Sequence, residues 1–360
     1  MPPLSGIHIL DLSLLLPGPL ATQILRDMGA RVTKVEPPSP GDYMALWPPM
    51  VGPVSATYAA INRGKETMSL NLKEDADRQR FMELARDADV VLEGFRPGVI
   101  DKLEIGYERL RAINARLVLC SISGYGQNGP YAQRAGHDLN YQALAGVLSI
   151  AGGDATSPAN PPLQVADTAA GSYAAAMLVL AALLEREKTG RGRHIDVSMS
   201  EQLLPLMSTL YAAAGAEEKD PRRDGELLSG GAPCYRIFRT SDDQYVTIGA
   251  LEPKFWLALV TRLGMPELAN APFHGGPEAD GTVVRLADAF ATRTRAQCEA
   301  MFAEVDACCE AVLTFSEVCR HPQWVSRRSF VSFPTPDGRS LQLPKMPASL
   351  AGFETDERDK

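Results

Sequence analysis

The first thirty residues of substance constrain the fold most. "IHILDLS" (7–13) is an apolar run of strand length. "LLLPGP" (14–19) reads as a loop. "PLATQILRDMG" (19–29) carries apolar residues at helical spacing, with Pro19 near its first turn and Gly29 as its stop. "ARVTKVE" (30–36) is a second strand. A strand, a helix and a strand in so short a span make a βαβ unit, and two strands joined by a helix lie parallel.

The alternation continues. "MSLNL" (68–72), "DVVLEGF" (89–95) and "RLVLCSIS" (116–123) predict further strands, with a helix over "KEDADRQRFMELARDA" (73–88). "GGDATSPANPP" (152–162) is a polar, proline-rich loop. It leads into a long buried helix within "LQVADTAAGSYAAAMLVLAALLEREKTGRG" (163–192), which Asp167 or Thr168 is expected to cap. "RHIDVSM" (193–199) predicts one more strand and "SEQLLPLMSTLYAAAG" (200–215) a helix. The expected fold is α/β: a large Rossmann-like domain with a parallel sheet over 1–216, completed by about 320–360. From about 217 the character changes. Residues 217–231 read as a linker and 232–319 as a smaller α+β domain. In it "CYRIFRTSDDQYVTIGA" (234–250) predicts a β-hairpin turning at Ser241 to Asp243, and helices follow near 253–263, 283–291 and 295–304.

Charge excludes some partners. The formal net charge is -8 and the pI near 5.3, so no global basic field draws the chain to nucleic acid or anionic lipid. An anionic small molecule would need a local cluster of lysine and arginine. The six cysteines (120, 234, 298, 308, 309, 319) contain no CxxC pair and read as reduced thiols, mostly packing groups. The N-terminus has no basic leader or cleavage pattern, and the longest apolar run, "AAAMLVLAALL" (174–184), has 11 residues, short of a bilayer span. A cytoplasmic protein with no membrane partner is expected.

One motif misleads. "GYGQNG" (124–129) fits G-x-G-x-x-G after a strand. A dinucleotide site needs a helix opening on those glycines and an acid about 20 residues later. Pro130 follows at once, and residues 139–153 contain no acid. The first βα turn is "LLPGP", whose prolines remove amide donors a pyrophosphate would use.

"AGHDLNYQALAG" (135–146) sets His137, one of five histidines, beside Asp138, with Asn140 and Tyr141 close behind. By residue type alone, His137 reads more readily as a satisfied loop or helix histidine, Asp167 as a helix cap and Glu252 as the residue before a helix. The lysines and arginines read as a solvated face.

Eight segments in order resemble one family, CoA-transferase family III, over nearly the whole chain. They are "PLSGIHILDLS" with "LPGP", "GARVTKVEPPSPGD", "NRGKETMSLNLK", "ADVVLEGFRPGV", "SGYGQNGPYAQRAGHDLNY", "KTGRGRHIDVSM", "GGAPCYRIFRTSDDQYVTIGALEPKFW" and "DACCEAVLTFSEVCRHPQ". "GHDLNY" resembles its racemase branch. The resemblance implies an isomerase that interconverts (2R)- and (2S)-2-methyl-branched acyl-CoA thioesters by 1,1-proton transfer through an enolate. The alternative within the family is a CoA-transferase using Asp167 as covalent nucleophile. Outside it stand a non-catalytic acyl-CoA-binding protein and a nicotinamide oxidoreductase resting on "GYGQNG". By position His137 and Asp167 match the two acid/base residues, and Glu252 matches a carboxylate that approaches the histidine from the partner subunit of an interlocked homodimer.

The resemblance also implies a CoA path along Leu70, Asn71, Leu72 and Lys73, then Gly94, Phe95 and Arg96, Lys102, and Gly136 with Asp138, Leu139, Asn140 and Tyr141. Arg63 and Lys65 of "NRGK" add cations for the polyanionic carrier. Some relatives carry arginine where Pro37 and Lys102 stand, and Glu310 also departs from the family pattern. No metal and no cofactor is expected beyond the CoA of the substrate. The chemistry explains the residue types: inverting a carbon beside a thioester removes a proton from one face and delivers one to the other. Histidine does either near neutral pH, and an aspartate does so if its site raises its pKa. At a helix start, the Asp167 amide is also expected to face the enolate oxygen, and Asp138 or Glu252 to orient the imidazole. "YMALWPPMVGP" (43–53) and "LLPLMSTLYAA" (203–213) are candidate apolar surfaces for the acyl chain.

Overall fold

The computed structural model describes residues 1–152, 157–273 and 276–345. The described residues divide into two compact units: those within 1–147, 162–208 and 322–345 form the first, and those within 148–161 and 209–321 the second.

The first unit is built on a six-stranded parallel sheet. Its strands are β1 (His8–Asp11), β2 (Arg31–Glu36), β3 (Glu66–Ser69), β4 (Val90–Glu93), β5 (Val118–Ser123) and β6 (His194–Ser198), in the order β3-β2-β1-β4-β5-β6. Every residue of β1, β4 and β5 is buried, as expected of a parallel sheet covered on both faces. The chain lays down β1, β2 and β3 in one direction and then returns to place β4 on the other side of β1. The switch point between β1 and β4 opens a crevice beyond the strand ends, where ligands of open α/β sheets bind.

Four helices of this unit pack into the apolar clusters around the sheet. They are α1 (Pro17–Asp27), α2 (Asp75–Asp87), α3 (Asp138–Leu144) and α4 (Ala166–Thr189). Helix α1 begins two residues before the expected Pro19 and ends where Gly29 takes a φ of +105°. Strand β3 lies two residues earlier than "MSLNL". Pairing ends at Glu36 opposite Ser69, and Leu70 and Leu72 turn into the apolar cluster around Phe81 and Leu110.

Helix α4 corrects two expectations. Its first eight residues, Ala166–Tyr173, wind as a π-helix before the α-helix Ala174–Thr189, and Val165, not Asp167 or Thr168, stands at the cap. The apolar run 174–184 thereby becomes part of a 24-residue helix, long and apolar enough to cross a membrane by length and composition alone. Ala170, Ala174, Ala175, Val179 and Ala182 are buried in the core with Ile24, Cys120 and Val197, the position of a core helix.

The helix expected over 200–215 is two: α5 (Met199–Leu206) and α6 (Ser208–Glu217). Pro205 lies inside α5, and its ring opposes continuation of the helix. The border between the units falls at this break, at 208/209 rather than 216/217. Residues 148–161 also group with the second unit, and positions 153–156 of the proline-rich loop lie outside the described residues.

The second unit holds a three-stranded antiparallel sheet of β7 (Tyr235–Arg239), β8 (Tyr245–Gly249) and β9 (Cys309–Ala311), with β8 in the centre. The expected hairpin is β7–β8; β9, from "DACCEAV", was not anticipated. Helices α7 (Pro253–Arg262), α8 (Gly276–Ala291) and α9 (Arg295–Phe302) accompany it, and Trp256, Leu259, Leu286 and Phe290 are fully buried in its core. The C-terminal hairpin β10 (Phe330–Pro334) and β11 (Ser340–Pro344) belongs to the first unit, where Arg339 donates to the carbonyl of Met50 at 2.7 Å. Residues 346–360, expected to help complete the large domain, lie outside the described residues. All six cysteines are free thiols.

Candidate active site

A cavity of about 430 Å³ occupies the switch-point crevice of the first unit. The loops after three strands wall it. Ser13, Leu14 and Leu15 follow β1; Gly94, Phe95, Arg96 and Pro97 follow β4; Ser123, Gly124 and Tyr125 end and follow β5. His137, Tyr141 and Asp167 complete it with Tyr43, Arg134 and Gly136.

Of the glycines of "GYGQNG", Gly124 serves packing, and Gly126 and Gly129 take positive φ. A Cβ on Gly124 would lie 2.3 Å from the Tyr141 ring, so only glycine lets that tyrosine close over the strand end. Tyr141 meets Tyr125 edge to face at 5.1 Å, and Tyr125 meets Tyr131 likewise at 5.5 Å. No helix opens on these glycines; the next one, α3, begins at Asp138. The dinucleotide reading fails on that point.

The pair His137–Asp138 divides its labour. His137 is the residue before α3 and is exposed at the cavity. Its backbone N–H donates to Asn140 Oδ1 at 3.0 Å, and its carbonyl accepts from the Asn140 and Tyr141 amides. Asp138 is buried. Its Oδ1 accepts the backbone N–H of Asp167 at 3.0 Å and its Oδ2 accepts Gln142 Nε2 at 2.6 Å. Two expectations are thereby corrected. Both Asp138 oxygens accept bonds from groups other than the imidazole, and no bond from them to His137 is found among the described residues. The Asp167 amide is given to Asp138, so it is not aimed at an enolate. Asp138 instead fixes the backbone that carries Asp167.

Asp167 sits on the second residue of the π-helical turn, a distortion frequent at functional sites. Burial pushes its pKa up to about 7, and the charge of Asp138 adds to the rise. The same burial raises the neighbouring Tyr141 phenol, whose hydroxyl donates to the carbonyl of Gly136.

The expected CoA path is only partly brought together. Gly94, Phe95, Arg96, Gly136 and Tyr141 line the cavity. Leu139 and Asn140 are exposed on α3 beside it, not on its wall. Leu70 and Leu72 are core residues, Asn71 caps the approach to α2 by donating to Asp77 Oδ2 at 2.7 Å, and Lys73 and Lys102 are exposed but off the cavity. Arg63 and Lys65 are not carrier-binding cations. Arg63 is buried in an ion pair with Asp27, and its Nη1 donates to the carbonyl of Ala60 at 2.8 Å. The Lys65 ammonium is 1% exposed and donates to Asp11 Oδ2 at 3.2 Å, and to the Pro19 carbonyl, Thr22 and Asn62 at 2.8 Å each. Glu252 stands at the start of α7 in the second unit, exposed, its carbonyl accepting the Phe255 and Trp256 amides.

Sequence reasoning missed several lining residues. Arg134, exposed and 4.6 Å over the Tyr131 ring, lies in the quoted "YAQRAGHDLNY" and was legible as a cation beside the histidine. Ser13–Leu15 follow β1 at the switch point, where the strand order alone points. Glu93 was also passed over. It is buried, accepts the Phe95 amide at 2.6 Å, and burial pushes it up to about 7. The described residues contain no group of histidine, cysteine and carboxylate side chains that would hold a metal.

Comparison with known proteins agrees with this architecture. The chain is 36% identical over 354 residues to the alpha-methylacyl-CoA racemase of Homo sapiens, covering 96% of this chain and 88% of that protein. It is 39% identical over 274 residues to the acetyl-CoA:oxalate CoA-transferase of Acetobacter aceti, covering 75% and 69%. Among solved structures, a CAIB/BAIF family protein from Brucella suis superposes with a TM-score of 0.84 at 29% identity, covering 98% of this chain and 94% of that one. CoA-transferase family III matches residues 4–360, and the chain belongs to that family.

Proposed function

We propose that this protein is a racemase or epimerase that interconverts (2R)- and (2S)-2-methyl-branched acyl-CoA thioesters. One observation carries the reading: His137 and Asp167 line one cavity, and burial holds the Asp167 carboxyl at a pKa of about 7. A carboxyl there serves as acid and base with nearly equal ease at neutral pH, which two-way proton transfer requires. A nucleophile would gain from the opposite, a lowered pKa and a cation beside it. No cation contributes to the Asp167 shift.

In this mechanism one of the pair takes the 2-proton from one face of the thioester and the other returns a proton to the opposite face. Asp138 keeps Asp167 in place through its amide, and the Tyr125–Tyr141 pair closes one wall. Arg96 and Arg134, both exposed at the cavity, are the cations positioned for the anionic carrier. The reaction uses no cofactor beyond the CoA that the substrate brings. The resemblance adds a homodimer in which Glu252 of one subunit approaches His137 of the other. Mixed dimers of separately inactive His137→Ala and Glu252→Ala chains should then regain activity.

The second reading, a CoA-transferase carrying its intermediate on Asp167, is favoured by the similarity to the Acetobacter aceti transferase. Incubating the protein with a 2-methylacyl-CoA in deuterated buffer separates the two. Exchange of the 2-proton with loss of optical purity is the expected result. Transfer of CoA to an added acid, with an adduct trapped on Asp167 and no exchange, would establish the transferase instead.

A further inference from the structure

The cavity wall after β1 is held by buried charge that the proton transfer does not use. β1 and β2 pair Asp11 opposite Lys34. The Lys34 ammonium is fully buried. It donates to the Ser13 carbonyl at 2.8 Å, pairs with Asp42 Oδ2 at 3.2 Å, and lies 3.7 Å from Glu36 Oε1. Asp42 is also fully buried. Its two oxygens accept the Leu15 amide at 3.2 and 3.1 Å, and Oδ1 accepts the Met44 amide at 3.1 Å. Ser13 is held from the other side, where Asp11 Oδ1 accepts its amide at 3.0 Å and its hydroxyl.

Two features show that this arrangement fixes the cavity rather than the core alone. Leu15 has a φ of +65°, a left-handed conformation that leucine rarely adopts and that persists only where surroundings impose it. In this conformation the Leu15 amide is bonded to both Asp42 oxygens. The same carboxylate caps the short 3₁₀ helix Tyr43–Leu46, and Tyr43 lines the cavity. A single buried side chain thus sets two wall segments that come from the ends of neighbouring strands.

We propose that Asp42, backed by Lys34, is a positioning residue of the active site: it fixes Ser13–Leu15 and Tyr43 in the places where they meet the substrate. The assignment rests on the cavity being the active site proposed above. It also gives a role to "GARVTKVEPPSPGD", which the proton transfer itself leaves unused. Misplacing a wall by about 1 Å costs on the order of 100-fold in turnover, even where no reacting group is touched.

The test compares Asp42→Ala, Asp42→Asn and a core control, Val179→Ala, which thins the apolar cluster under α4. Hydrogen exchange of the Leu15 and Met44 amides, kcat, KM and affinity for CoA are measured for each. Asp42→Ala should speed exchange at Leu15 and Met44 at least 10-fold and leave the β4 and β5 amides unchanged. It should lower kcat by roughly 10- to 100-fold, a larger factor than its change in KM. Asp42→Asn keeps an acceptor for both amides and should recover most of that loss. Val179→Ala should lower thermal stability without changing kcat or the Leu15 amide. If Asp42→Ala does not fold, Asp42→Ala combined with Lys34→Met removes the same acceptor without leaving the ammonium unpaired and is read by the same measurements. Unchanged Leu15 protection, or a kcat that falls only in step with stability as the control's does, would overturn the assignment. The amide arm is independent of the reaction catalysed, so a wild-type protein without 2-proton exchange would refute the proposed function and leave this test standing.

Discussion

Asp11 and Asp167 belong to the same unit, and burial opposes the ionisation of both, yet their pKa values move in opposite directions. For Asp11, Lys65, Lys34 and the hydroxyls of Ser13 and Thr22 overcome burial and hold the pKa below the ordinary carboxylate value. For Asp167 no cation offsets burial, and the other contribution, from the carboxylate of Asp138, adds to the rise. Burial alone therefore does not mark a functional acid in this protein. The partner decides: the β1–β3 side of the switch point neutralises its charges, and the crevice side leaves Asp167, like Glu93 at the end of β4, without a cation to offset burial.

The sharpest way to break this contrast is on the crevice side. Replacing His137 by alanine should lower kcat by ~10²–10⁴-fold, the range for loss of a general acid or base. Its effect on thermal stability should be small, because the side chain is exposed at the cavity. Steady-state racemisation and a melting curve measure both, and near-normal turnover would remove His137 from the mechanism.

The opposite outcome is expected on the neutralised side. Lys65→Met strands Asp11 and should destabilise the fold by about 3 kcal/mol, the lower end for breaking one partner of a buried pair. At a temperature where the variant is folded, affinity for the CoA carrier should be within about twofold of wild type. A large loss of CoA affinity with an unaltered denaturation midpoint would return Lys65 to the carrier site.

Misreading Lys65 shows what was legible in the sequence. Charge and spacing can be read along a chain, but burial cannot: "NRGK" looks like a phosphate-binding stretch, and its cations point inward because Asp11 and Asp27 await them. The strands were legible because continuous apolar runs such as "HILD" and "VVLE" have few alternatives in an α/β chain. Register was less so: the leucines of "MSLNL" serve the core beyond β3, not the ladder. His137 and Asp167 were found by resemblance. The π-turn that sets Asp167, the Asp138 oxygens that hold its amide, and the wall fixed by Asp42 depend on contacts 29, 27 and more residues apart and left no local pattern.

A smaller effect separates the two aspartates by pH. The folded pKa of Asp167 is raised from 3.8 to about 7, so its contribution to stability is complete below about pH 4 and is lost as pH rises through 7. Asp167→Asn escapes that loss. Its melting temperature relative to wild type should therefore increase between pH 4 and pH 8. Asp11 behaves oppositely: with a lowered pKa, its contribution is present above about 3.8 and is lost only on further acidification. A constant difference between Asp167→Asn and wild type across pH 4–8 would mean that Asp167 is not perturbed by its surroundings.

The most direct test of Asp167 as a base is proton exchange in Asp167→Asn. The asparagine keeps the side-chain size and the backbone amide held by Asp138, but it cannot take a proton. His137 would still remove the 2-proton of one epimer and return a deuteron to the same face. The expected result is racemisation lost in both directions, with deuterium incorporated into one epimer of the 2-methylacyl-CoA only. Racemisation at the wild-type rate in Asp167→Asn would contradict the assignment. So would a covalent Asp167 adduct forming at the turnover rate in a wild-type enzyme that exchanges no proton.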